Sequence, residues 1–366
     1  MTDAGSARPP HAAPGPKRPP ILVGLWLLLC CALVFAMVVL GGLTRLTDSG
    51  LSIVEWDLLS GVLPLLSTAG WQEAFAAYRQ FPEFQQINPD MTLSEFKSIY
   101  WLEYSHRLLG RAVGVVFLVP FLYFSATRNL TSRLALRLIG IFMLGGLQGA
   151  LGWYMVQSGL VDRPEVSHYR LAAHLGLAVL IYGFLLRAAL GILVPERIIV
   201  VGRKGGNAAG ATYLAAAFAF LTMMSGALVA GLDAGLIYNS FPLMDGRWIP
   251  EGLLDQAPWF VNFGENVTTV QFMHRCLALA SVLLVLIAWF RAIRGRAIDI
   301  DPDQTGSPLG HAMLLAVVAQ VCLGVATLLY LVPLPLAVAH QAGAMVLLTM
   351  CLWLAHQQGQ RKEFVL

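Results

Sequence analysis

Eight long apolar blocks constrain this chain more than any other feature. They run over about Ile21–Leu43, Glu103–Thr127, Leu138–Val161, Arg170–Leu186, Ala208–Leu232, Gln271–Phe290, Pro308–Val332 and Leu334–His356. A helix needs about 20 apolar residues to cross the hydrocarbon core of a bilayer. Strands of a membrane barrel are about 10 residues long and alternate with a period of two, a pattern these blocks lack. Composition agrees: 57% of residues are hydrophobic, 12% are charged, and mean hydropathy is +0.68. A soluble domain carries more polar surface than that. The fold class expected is therefore an all-α integral membrane protein with eight transmembrane helices.

The placement of charge orients it. Of the 24 Lys and Arg residues, 15 fall in segments on the same side as the N-terminus if the blocks alternate direction. Basic residues collect on the cytoplasmic side, so both termini are expected there. Residues 1–20, rich in Pro, Ala and Gly, read as a disordered cytoplasmic tail, and 357–366 as a second tail. The first block is too long for a signal segment and no cleavage site follows it; it is expected to stay as a helix. The five cysteines (Cys30, Cys31, Cys276, Cys322, Cys351) all lie within blocks and show no metal-binding spacing. They are expected to be small buried apolar residues. The bilayer is the expected environment, and no nucleic-acid partner is expected.

The chain repeats its own plan. The first block ends in Gly41-Gly42-Leu43-Thr44-Arg45 and leads to Asp48; the fifth carries Gly226-Ala227-Leu228 and leads to Asp233. The second opens on Glu103-Tyr104-Ser105-His106-Arg107, the sixth on Gln271-Phe272-Met273-His274-Arg275. The fourth holds His174 and the eighth His340. With four helices per half, both halves enter from one side, which makes them parallel repeats. Two four-helix bundles follow, over residues 21–194 and 208–356, joined by a linker at 195–207. The first outer loop is unusually long. It holds Trp56, Trp71, Phe75, Tyr78, Phe81, Phe84, Tyr100 and Trp101, and Thr92-Leu93-Ser94-Glu95 has the capping-box pattern. Two readings of those aromatics stand: interface anchors, or a cover over a ligand.

Four histidines carry the chemistry. His106, His174, His274 and His340 all lie near the outer starts of their helices, two per half. One histidine in a membrane helix commonly makes a polar contact to a neighbour. Four at matching depth point instead to two bis-imidazole heme sites inside the bundles. Zinc would want three or four converging ligands. Arg107 and Arg275 have two open readings, as propionate partners or as side chains snorkelling to the interface. His168, in an outer loop, touches either a ligand or water. The halves differ where Glu103, one turn before His106, is replaced by Gln271. A carboxylate so close to the apolar zone is costly, and beside an iron ligand it can take a proton or stabilise a positive charge. Its alternative is an interface pair with Arg107. The asymmetry locates chemistry in the N-terminal half and a resident cofactor in the C-terminal half.

These residues resemble the heme A synthase family. The resemblance runs from Leu25 to about Leu354 and rests on Gly-Gly-Leu-Thr-Arg-Leu-Thr at 41–47, Glu103-x-x-His106-Arg107, Gln148-Gly149-x-x-Gly152-Trp153, His174, Asn239-x-Phe241-Pro242-x-Met244, His274-Arg275 and His340-Gln341. It implies oxidation of the C8 methyl of heme O to a formyl group, through an alcohol and a hydrated aldehyde. It implies His106 and His174 as ligands of the substrate heme, His274 and His340 as ligands of a heme b cofactor, and Glu103 as the catalytic carboxylate; Arg275, next to His274, falls at the heme b site on the propionate reading. Heme O synthase, cytochrome oxidase assembly factors and further copies of the chain are the implied partners. Lacking loop cysteine pairs, the chain is similar to the alphaproteobacterial and mitochondrial branch. Without a clear transit peptide, a bacterial inner membrane is expected, with the histidines toward the periplasm. The competing expectation is an electron-transfer cytochrome carrying two equivalent b hemes.

Overall fold

The structure, a computed structural model, describes residues 19–55, 60–159, 166–194, 197–201, 208–294, 308–359 and 361–365. The expected tail up to residue 18, Trp56 and most of the expected linker lie outside the described residues. Eleven α-helices are described: α1 (Ile21–Leu46), α2 (Thr68–Tyr78), α3 (Pro82–Gln86), α4 (Leu93–Ala126), α5 (Ser132–Gly159), α6 (His168–Leu193), α7 (Ala208–Gly231), α8 (Asn262–Glu265), α9 (Val267–Arg294), α10 (Pro308–Leu329) and α11 (Leu334–Gly359). Eight of them, all but α2, α3 and α8, are long and apolar enough to cross a membrane. Each takes up one of the apolar blocks.

Several helices begin before the hydropathy does. In α4 the start is set at Thr92, whose hydroxyl accepts from the Glu95 amide while the Glu95 carboxylate accepts from the Thr92 amide at 2.8 Å. That reciprocal cap carries α4 above the apolar zone and makes it 34 residues long. One feature departs from an all-helical description: β1 (Arg197–Val201) and β2 (Arg361–Val365) pair in parallel. Parallel strands need a long crossover, and here the whole of α7–α11 supplies it.

The spanning helices pack in two rings. In one, α1 and α5 each pack against both α4 and α6; in the other, α7 and α10 each pack against both α9 and α11. The rings meet where α6 touches α7 and α11, and where α1 touches α11. Lipid tails are as apolar as leucine, so close backbone approach and polar contacts drive association here. Buried Ala215, Ala216 and Ala219 make α7 thin on its packed side. Gly42 leaves room for the Gln341 side chain, which donates to the Val38 carbonyl at 2.9 Å. Tyr182 and Thr349 share a hydrogen bond of 2.7 Å across the same boundary. At the histidine end Arg45 ties the rings together. It pairs with Asp48 at 2.7 Å and Asp233 at 3.6 Å, and donates to the Ala230 carbonyl at 3.1 Å. Those two aspartates follow α1 and α7 and both adopt left-handed backbone, with φ of 47° and 49°, the conformation that ends a helix.

Cysteine burial corrects one expectation. Cys30, Cys31 and Cys351 are buried, but Cys276 and Cys322 face outward. The lipid side of a spanning helix is as apolar as its packed side, so hydropathy does not separate the two.

The first outer loop folds as a small unit of its own. Trp71, Tyr78, Phe84, Phe96, Tyr100 and Tyr104 bury one another, with Trp71 edge-on to Tyr100 at 4.9 Å between ring centroids. Tyr104 also donates to the Val62 carbonyl at 2.6 Å. These rings form a second apolar core above the first ring of helices, and Trp101 stays exposed at its flank. The second outer loop uses amides instead. Asn266 donates to the Gly252 carbonyl and to Asp255 at 2.9 and 2.7 Å, and Asn239 to the carbonyls of Gly235 and Leu328 at 2.8 and 2.9 Å.

Candidate functional site

All four histidines fall at one end of the helix rings: His106 on α4, His174 on α6, His274 on α9 and His340 on α11. They are brought together two by two. His106 and His174 lie in the first ring, and His274 and His340 in the second.

Each imidazole is seated against a glycine of a neighbouring helix. A Cβ added at Gly41 would lie 3.1 Å from His106 Nε2, and one at Gly152 3.0 Å from His174 Cε1. At Gly226 and Gly324 it would lie 3.2 and 2.8 Å from the Cε1 atoms of His274 and His340. These glycines occupy corresponding places in the two halves, so the space for each ring is made the same way. Behind the rings the correspondence continues. Gln148 donates to the His174 carbonyl at 3.1 Å and Gln320 to the His340 carbonyl at 2.9 Å. In both places the glutamine Oε1 and the histidine Nδ1 are buried without a partner.

His274 is oriented further. Ser225 donates its hydroxyl to the Thr222 carbonyl at 2.9 Å and lies 2.8 Å from His274 Nδ1. With its proton used on Thr222, the serine oxygen accepts from Nδ1–H. That tautomer leaves the Nε2 lone pair for a metal. Leu40 holds the corresponding place on α1 and offers no such bond.

The carboxylate that distinguishes the halves is deep. Glu103 is 2% exposed. Its Oε2 accepts from Ser52 Oγ at 2.7 Å and the Ile53 amide at 2.6 Å, and its Oε1 accepts from Arg107 at 2.5 Å. The pair with Arg107 expected from the spacing is present, but inside the protein and not at the water interface. In the second half Gln271 is equally buried at 2% and donates to the Ala234 carbonyl at 2.7 Å.

Arg107 and Arg275 behave alike. Arg107 donates to the carbonyls of Glu55 and Ile53 at 2.9 and 2.7 Å. Arg275 donates to those of Ser240, Leu243 and Tyr238 at 3.0, 3.3 and 2.9 Å, and to Gln271 at 3.2 Å. Each pins an outer loop onto its helix. His168 opens α6 and lies 3.5 Å from Glu265, linking the two loop regions.

The donor set fits one heme per ring. Two imidazoles on different helices, each with a glycine across from it, suit axial ligation of iron. Among the described residues no third His, Cys, Asp or Glu joins either pair to make a zinc-type cluster.

Known proteins resemble this sequence over most of its length. A family model of the COX15-CtaA type, described as a cytochrome oxidase assembly protein, matches residues 24–352. A heme A synthase of Nitrosospira multiformis is 50% identical over 92% of this chain and 93% of its own length. This chain belongs to the heme A synthase family. A heme A synthase of Parvibaculum lavamentivorans is 49% identical over 92% of the chain and 94% of its own length. The bovine heme A synthase COX15 is 45% identical over 92% of the chain and 82% of its own length. In this family member, four contributors are absent from the expected site. Ser52 and the Ile53 amide hold Glu103 across about 50 residues of chain, and nothing in their local pattern signals it. Ser225 precedes Gly226 in a small-residue run typical of packed helices. Gln320 was legible: it stands four residues before Gly324, as Gln148 stands four before Gly152.

Proposed function

We propose that this enzyme oxidises the C8 methyl of heme O to a formyl group, with His106 and His174 holding the substrate heme and His274 and His340 holding a heme b. A bound heme b supplies one-electron redox chemistry. The protein's own part is positional and electrostatic. The glycines and glutamines set the imidazoles, and Ser225 holds His274 in the metal-binding tautomer. The substrate sits below the aromatic core of the first loop. Glu103 takes up a proton, or balances positive charge, as the methyl carbon is oxidised; Ser52, Ile53 and Arg107 keep it aimed. Arg275 serves the heme b site by fixing the loop above it.

One observation supports this division of labour most directly. At two otherwise matching positions, equally buried, the first half has an ionisable acid and the second an amide. Two equivalent electron-transfer hemes give no reason for that difference. The bias of basic residues supports a topology with both termini in the cytoplasm and the histidines toward the periplasm. The two helix rings support a division at residues 21–194 and 208–356.

The test is an optical spectrum of the detergent-purified protein, followed by acid extraction and chromatography of its pigments. Heme b together with heme O, a hydroxylated heme O or heme A is the expected result. Heme b alone, at about two per chain, would overturn the reading in favour of the electron-transfer cytochrome.

A further inference from the structure

At the end of the rings opposite the histidines, α6, α7 and α11 leave a cavity of about 330 Å³. Arg187, on its wall, stands 13 residues beyond His174 on the same helix, roughly 20 Å along the axis at 1.5 Å per residue. The polar end of the cavity, at Arg187, Tyr213 and His356, therefore lies far from the four histidines of the candidate site, while its apolar wall reaches back to Val179. Most of its wall is apolar: Leu180, Phe184, Phe220 and Leu352 line it, and Ala216 and Ala217 keep the α7 side open. Leu180 and Phe184 are also exposed on the outer surface of the helices, so the cavity opens toward lipid.

Three polar groups stand in this apolar setting. His356 is only 5% exposed, and its Nε2 is buried without a hydrogen-bond partner. Its other ring nitrogen donates to the Leu190 carbonyl, which leaves Nε2 as an acceptor in the neutral ring. The Arg187 guanidinium donates to the Tyr213 hydroxyl at 2.6 Å and is near enough to act on the charge of the imidazole. Tyr213 keeps its own proton to donate. No carboxylate lines the cavity among the described residues. A cation, a hydroxyl donor and an imidazole nitrogen left as an acceptor thus face one space with no carboxylate on its wall among the described residues. An acidic group with an apolar tail satisfies both parts of the wall.

We propose that this cavity binds one anionic phospholipid. Its phosphodiester is held by Arg187 and Tyr213, a headgroup hydroxyl donates to His356 Nε2, and an acyl chain lies along Leu180, Phe184, Phe220 and Leu352. The heme reading plays no part in this assignment.

Native mass spectrometry of the full chain in mixed micelles tests it, with equal amounts of phosphatidylglycerol and phosphatidylcholine. Retention of one phosphatidylglycerol per chain in preference to phosphatidylcholine is expected. Arg187→Gln, at an exposed position, should cut that preference about fivefold, the effect of one basic residue at an anionic lipid surface. His356→Leu, which removes the acceptor, should weaken it as well, with heme absorbance unchanged in both variants. Equal retention of the two lipids would overturn the proposal, as would an unaltered preference in Arg187→Gln. Displacement of the lipid by millimolar inorganic phosphate would also overturn it, because the site would then recognise a free anion.

Discussion

Replacing Glu103 by Gln separates structure from chemistry at the proposed reaction site. The carboxylate accepts three hydrogen bonds, from Ser52, the Ile53 amide and Arg107. A glutamine keeps an acceptor for Arg107, as Gln271 does for Arg275 at 3.2 Å. The Ser52 hydroxyl can turn to accept from the new amide. The Ile53 amide cannot, and it loses a bond to a charged partner. Such a loss, with the weaker attraction to Arg107, costs roughly 2–3 kcal/mol of stability. That is a moderate penalty, and the second half shows that this local architecture tolerates an amide. The variant should therefore fold and carry both hemes. If Glu103 moves a proton or balances charge in the reaction, formation of heme A should fall by roughly 10²–10⁴-fold. The assay measures heme content by absorbance, heme A by chromatography of extracted pigments, and thermal unfolding in detergent. Normal heme A formation with normal heme content would refute the catalytic role. Loss of the substrate heme itself would refute the claim that Glu103 acts on chemistry and not on binding. Gln271→Glu, which aims a carboxylate at the Ala234 carbonyl, should destabilise the second ring and should not create a second reaction site.

Other expectations follow from the same contacts. Ser225→Ala frees His274 to take either tautomer and should weaken heme b retention roughly 10–100-fold, while the other heme stays; unchanged heme b affinity would remove Ser225 from the site. Gly324→Ala brings a methyl 2.8 Å from His340 Cε1, so heme b should be lost or its absorbance shifted, and an unaltered spectrum would show that the ring has room to move. Glu83 in the first loop is 3% exposed; burial, helped by the charges of Glu103 and Asp48, pushes its carboxyl from 4.5 up to about 8. The folded state then binds the extra proton between those values, so its stability falls as pH rises from 4.5 to 8, by at most about 1.4 kcal/mol per pH unit. Glu83→Gln should match the parent at pH 4 and become progressively more stable than it up to pH 8, as read from unfolding midpoints; a difference independent of pH would show that Glu83 is ionised throughout.

The sequence by itself determined which segments span, because a bilayer demands about 20 consecutive apolar residues and a helix that satisfies its own backbone. It also determined the four histidines as a set, since their equal depth follows from counting along helices of known direction. The Glu103/Gln271 difference was visible for the same reason: one helical turn before a histidine is a fixed place. What only the tertiary structure decided was everything that depends on which face of a helix meets which neighbour. Hydropathy is blind there, because lipid and protein interior are equally apolar, and so Cys276 and Cys322 were misplaced. The arginines after His106 and His274 had two open readings, propionate partner or interface side chain; the structure adds their bonds to loop carbonyls, whose position no local pattern encodes. Glu103 was legible as a costly carboxylate one turn before His106; that the folded first loop buries it and supplies Ser52 and Ile53 was not. The cavity at Arg187 and His356 needs three helices to meet, so no stretch of sequence could show it.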